Sequence, residues 1–160
     1  MSVKIAGYVK LAKLWERDRD EALRLQKEYY EEKFKNDPDF KLVGVYVDIT
    51  GQKNIYRRPE MIRLLGDCMS GKVDVIYAQT KGYLAANTKE FCYLIKFLFD
   101  MKHRIDIVTE DETYNINTGA DVDNQRHELY QMADKFAKCE PDEYKEWLDA
   151  VSSAIAKGKS

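Results

Sequence analysis

The chain predicts an α/β domain with a mainly parallel sheet flanked by helices, and three observations carry that prediction. Short apolar segments rich in β-branched residues alternate with longer segments of helical periodicity. Glycine, proline and asparagine punctuate the joins between them. The 160 residues are 44% hydrophobic, enough to bury one sizeable core, and 34% charged, which solvates the surface around it. The order β-α-β-α-β-α-β, followed by two helices, suits strands joined by right-handed crossovers in a three-layer domain.

Each element has a local cause. Residues 3–9 are short and apolar, pass through Gly7 and run into Lys10, Leu11 and Ala12, as a buried strand entering a turn would. Over residues 16–35 the charges are dense, yet Ala22, Leu25 and Tyr29 recur at helical spacing, with Leu23, Tyr30 and Phe34 widening the face. Asn36-Asp37-Pro38-Asp39 breaks that helix, since the residue before proline disfavours helical backbone. Residues 42–47 read as a second strand and residues 48–54 as a loop. Pro59 suits a first helical turn, Met61, Ile62, Leu64, Leu65 and Cys68 continue the helix, and Gly71 stops it.

Residues 73–78 form the third expected strand, and Asn87 or Thr88 caps a helix with a broad buried face at Phe91, Leu94, Ile95, Leu98 and Met101. A fourth strand covers residues 105–108, and polar residues 110–121 read as a loop. Two helices close the chain. Leu129, Met132, Ala133 and Phe136 stripe the first; Tyr144, Trp147, Leu148, Val151 and Ile155 stripe the second, which starts after Pro141.

Composition narrows the function. The formal net charge of -2 provides no general attraction to phosphate, so any nucleic-acid contact needs a local basic patch. Cys68, Cys92 and Cys139 form neither a CxxC pair nor an even disulfide set and read as reduced thiols. His103 and His127 lack ligand-like companions, so neither a metal nor any other cofactor is expected. No segment approaches the roughly 20 apolar residues that span a bilayer, and no signal-type apolar run opens the chain, so a cytoplasmic location without membrane contact is the expectation.

The motifs point further. Gly7-Tyr8-Val9-Lys10-Leu11-Ala12 resembles the Tyr-x-Arg-x-Ser opening of the serine recombinase (resolvase/invertase) catalytic domain. Further along, Gln26, Tyr29-Tyr30, Pro38, Lys41-Leu42-Val43-Gly44 and Tyr46-Val47-Asp48 follow the order seen in large serine recombinases of Gram-positive mobile elements. Arg58, Asp67-Cys68, Gly71-Lys72-Val73-Asp74-Val75-Ile76, Asn87-Thr88, Glu110 and Ile116-Asn117-Thr118 continue the resemblance to about residue 120. It implies a resolvase-like α/β catalytic-type domain over residues 1–120, with residues 121–160 as a helical extension packed on it or in a dimer interface.

The resemblance also implies a chemistry, and the residues depart from it. In the family a serine oxygen attacks the DNA backbone to leave a 5′-phosphoserine link and a free 3′ hydroxyl, while arginines offset charge on the phosphoryl group. Ala12 stands where that serine belongs, and Ser2 and Ser70 lie elsewhere in the predicted fold. Lys10 replaces the first arginine, keeping the charge without the planar fork. In the run Gln79 to Asn87, Tyr83 and Ala86 occupy two arginine positions and Gly82 a polar one, whereas Tyr8, Gln26 and Arg58 are retained.

Each retained residue has a structural reading as well. Tyr8 at a strand end is either a packed aromatic or a site group, Arg58 either screens a helix entrance, pairs with Asp48 or meets phosphate, and Gln26 is either structural or solvated. Tyr8 or Tyr83 as a substitute nucleophile lacks a visible activating cluster. The expectation is a degenerate recombinase domain that acts as an accessory or assembly module in DNA recombination, as a homodimer or with an active serine recombinase. Two alternatives stay open: a subunit whose missing groups a partner supplies, and weak DNA contact through Lys10, Lys53, Arg57, Arg58 and Lys81.

Overall fold

The computed structural model describes residues 2–111 and 122–158. Four parallel strands, β1 (Val3–Leu11), β2 (Phe40–Ile49), β3 (Val75–Ala78) and β4 (Asp106–Thr109), make one sheet in the order β2-β1-β3-β4. The helices are α1 (Arg19–Phe34), α2 (Pro59–Met69), α3 (Lys81–Leu84), α4 (Thr88–Phe99), α5 (Val122–Cys139) and α6 (Pro141–Gly158), with 3-10 turns at Lys13–Asp18 and Ile55–Arg57. The predicted α/β order is therefore the observed one. Most of the predicted 110–121 loop, including Ile116-Asn117-Thr118, lies outside the described residues.

Strand alternation sorts β1 between two cores. Ile5 and Val9 face α1 and join Tyr30, Val47, Val75, Tyr77 and Val108. Ala6 and Tyr8 face the opposite layer and join Tyr46, Ile76 and Ile107 with the buried sides of α2, α4, α5 and α6. On α1 the buried positions are Ala22 and Tyr30, whereas Leu25 and Tyr29, expected in the stripe, are exposed. The inward face thus runs through Ala22, Leu23, Tyr30 and Phe34, because Tyr30 packs flat over the glycine gap at Gly7.

Boundaries moved where pairing or capping outweighed propensity. β1 extends to Leu11 because it stays paired with β2 as far as Ile49, which draws Asp48 and Ile49 out of the predicted loop. The helix expected from residue 16 begins at Arg19, since Asp18 at φ -120° leaves the helical region. Gly71 does end the α2 region, at φ +82°. Asn87 is the cap of α4, its Oδ1 accepting from Glu90 N at 2.8 Å. The short α3, capped by Thr80, is an addition to the expected elements; four residues carry too little periodicity to mark a helix in the sequence.

The C-terminal stripes are consumed inside the chain. Leu129, Ala133, Trp147, Val151 and Ile155 belong to the core beneath α2 and α4, and the indole Nε1 of Trp147 donates to Glu90 at 2.9 Å. Phe136, expected in the stripe of α5, is at the surface, and Ala137 is buried in its place.

A Cβ on Gly7 would fall 2.8 Å from the Tyr30 ring. Gly7→Ala is expected to lose about 1–3 kcal/mol in denaturant unfolding. Tyr30→Phe removes a buried hydroxyl that has no hydrogen-bond partner among the described residues and should leave stability within about 1 kcal/mol of the parent.

Candidate active site

The strand order places a crevice. From β1 the chain crosses to β2 on one side, and from β2 it crosses back over β1 to β3 on the other, so the direction of winding reverses between β1 and β3. In open parallel sheets a ligand site forms outside the C-terminal ends of the strands at that reversal. Lys10 and Ala12 lie there at the end of β1, and the segment from Gln79 to Ala86, with α3, lies there after β3.

Tyr8 is buried at this end of β1, and its hydroxyl donates to Asp48 Oδ2 at 2.8 Å. Asp48, itself 4% exposed at the end of β2, accepts from the first amides of α2: Glu60 N to Oδ1 and Met61 N to Oδ2, both at 2.9 Å. The carboxylate therefore occupies the electropositive N-terminus of α2, where the preceding Arg58 provides no side-chain cap. Burial, and next the charge of Asp48, push the Tyr8 phenol upward, so it is held protonated. That environment is the reverse of what a tyrosine nucleophile needs.

Arg58 is only 1% exposed. Its Nη1 donates to the carbonyls of Tyr83 (2.7 Å) and Leu84 (3.3 Å), Nη2 to Lys53 O (2.8 Å) and Nε to Gln52 O (3.3 Å). Of the readings open for this residue, pairing with Asp48 is not what forms: Asp48 is engaged by Tyr8 and α2, and the enclosed guanidinium bonds to four backbone carbonyls. It clips the loop after β2 to α3 across the crevice.

The other expected positions are nearer the surface. Lys10 is half-buried; burial and then the neighbouring Arg58 lower its pKa, partly offset by Asp48. Ala12 is exposed with extended backbone, and its carbonyl accepts from Trp15 N at 3.0 Å to open the 3-10 turn. Gly82 and Ala86 are exposed, and the half-buried Tyr83 reaches Gln79 Oε1 at 3.5 Å. Gln26 sits half-buried on α1. Among the described residues, no group of three His, Cys, Asp or Glu side chains is placed to hold a metal.

The family profile "Resolvase, N terminal domain" matches residues 13–160. The chain belongs to that family. Among solved structures it is similar to the N-terminal catalytic domain of TP901-1 integrase, at 22% identity and a TM-score of 0.58, covering 86% of this chain and 98% of that one. It is also similar to the C-terminal catalytic domain of ISC1926 TnpA, an IS607-like serine recombinase, at 21% identity and a TM-score of 0.52, covering 69% of this chain and 72% of that one. No curated protein matches it by sequence. The resolvase-like fold expected from the motifs is thus the observed one.

Within this resolvase-type fold, one cluster was legible only in part. Glu110, just after β4, accepts from the hydroxyls of Tyr29 on α1 and Tyr77 on β3, the latter at 2.8 Å, and lies 3.6 Å from Lys33 Nζ. Tyr29 and Glu110 were both singled out by motif, but their meeting, and the part played by Tyr77, depend on α1 crossing over the strand ends. Burial works to raise the Glu110 pKa, but the two tyrosine hydrogen bonds and Lys33 outweigh it and hold the carboxyl below its ordinary value.

Two outcomes follow from this geometry. Asp48→Ala would strand the Tyr8 hydroxyl and two α2 amides and is expected to cost about 2–4 kcal/mol by chemical denaturation. Because the folded-state pKa of Glu110 is depressed, its contribution is present above the unfolded-state value and disappears as pH falls through the folded-state one. Over that acid window the stability of the parent should fall more steeply than that of Glu110→Gln, as read from denaturant melts at successive pH values.

Proposed function

We propose that this chain is a catalytically silent serine-recombinase-type domain that serves as an accessory or assembly module in site-specific DNA recombination. Ala12 carries the reading. At the end of β1, where the family pattern calls for serine, a methyl group cannot form a phosphoester link to DNA. Its surroundings support this: Tyr83 and Ala86 replace two arginines, Lys10 replaces a third, and Arg58 is spent on backbone carbonyls. Loss of one preorganised donor to a developing oxyanion costs on the order of 10²–10³ in rate, and several are missing together.

The partner in this reading is a second copy or an active serine recombinase. The stripe on α6 is already buried in its own core, so an assembly surface lies on other faces. Any DNA contact would be electrostatic and run through Lys10 and the exposed Lys53 and Arg57, with Lys81 beside them, while Arg58 holds the loop behind them. Such binding weakens steeply as salt rises.

Incubation with nicked or suicide DNA, alone and beside an active serine recombinase, separates the readings. The expected result is no covalent adduct on this chain in either mixture, and none for Ala12→Ser on its own, together with co-purification of the active enzyme. An adduct on this chain when the active enzyme is present would assign it instead to a subunit completed by its partner.

A further inference from the structure

A cavity of about 250 Å³ opens between the N-terminus of α4, the turn before α2 and α6. Its walls carry Tyr56, Tyr93 and Trp147, and its polar lining includes Glu90, Glu143 and Glu146. Lys89 is there too, but its ammonium is paired with Glu143.

Glu90 is the decisive residue. It is 92% removed from solvent, at 8% exposure, and its side-chain hydrogen bonds fall on one oxygen: Oε2 accepts from Ile55 N at 3.1 Å and from Trp147 Nε1 at 2.9 Å. No donor among the described residues reaches Oε1, although Glu90 lines the cavity. Tyr93, 2% exposed in the same wall, has a buried hydroxyl without a hydrogen-bond partner among the described residues. A buried carboxylate with one oxygen that no described donor reaches, aromatic side chains lining the same cavity and the exposed carboxylate of Glu146 suit a planar cation.

We propose that this cavity binds a guanidinium group, with Glu90 Oε1 and Glu146 as acceptors and Tyr56, Tyr93 and Trp147 lining it. A guanidinium fits better than an ammonium because it is flat, stacks on aromatic faces and directs several N–H groups toward carboxylates at once. It is supplied either by a free small molecule or by an arginine side chain on a partner. Nothing in the proposal depends on the recombination reading.

The indole N–H of Trp147 reports on the site because it is bonded to Glu90, and that of Trp15, outside the cavity, serves as the control. Titration with agmatine, and separately with N-acetylarginine amide, is expected to shift the Trp147 indole resonance saturably, with a Kd of about 1 mM, and to leave Trp15 still. Tighter binding of agmatine would point to a free ligand, and equal or tighter binding of the amide to an arginine side chain. Glu146→Gln, at an exposed position, should weaken binding at least severalfold, and the isosteric Glu90→Gln should abolish it while keeping the fold. No saturable shift, parallel movement of both indoles, or an unchanged Kd in both variants would overturn the assignment.

Discussion

The Asp48 carboxylate is the tie on which the crevice depends. It sits at the end of β2, takes the Tyr8 hydroxyl from β1 and receives the first two free amides of α2. Three elements distant in sequence are thereby held at one point. A buried charge is costly unless compensated, and here the compensation comes from a phenol and a helix N-terminus. Burial at this point, and next the Asp48 charge, hold Tyr8 protonated.

Arg58 extends the same logic across the crevice. A charged guanidinium that is almost wholly buried is satisfied by carbonyls from the loop after β2 and from α3. Its donors fix two backbone segments to each other. Ala12, Gly82 and Ala86 lie exposed around it, where substitution disturbs little packing.

Much of the fold was legible because its signals are local. The short apolar runs of β1 and β3, the proline that opens α2, Gly71 at positive φ and Asn87 as a cap act within a few residues. Where local rules failed, a distant group had intervened. Leu25 fits the helical stripe, but Tyr30 fills the gap above Gly7 and turns α1 so that Leu25 faces outward. Phe136 gives way to Ala137 on α5, which rotates its buried side away from the predicted stripe.

Order and identity of residues by themselves determined the α/β class and the family pattern, since each is a property of adjacent or regularly spaced side chains. Only the tertiary structure decided what Arg58, Tyr8 and Glu110 contact. Whether Arg58 meets solvent or carbonyls, whether Tyr8 is free or bound to Asp48, and how Glu110 gathers Tyr29 and Tyr77 all depend on contacts between elements far apart in the chain. The physical reason is that burial and hydrogen bonding are set by the packing of one element on another, and periodicity along a single element carries no record of them.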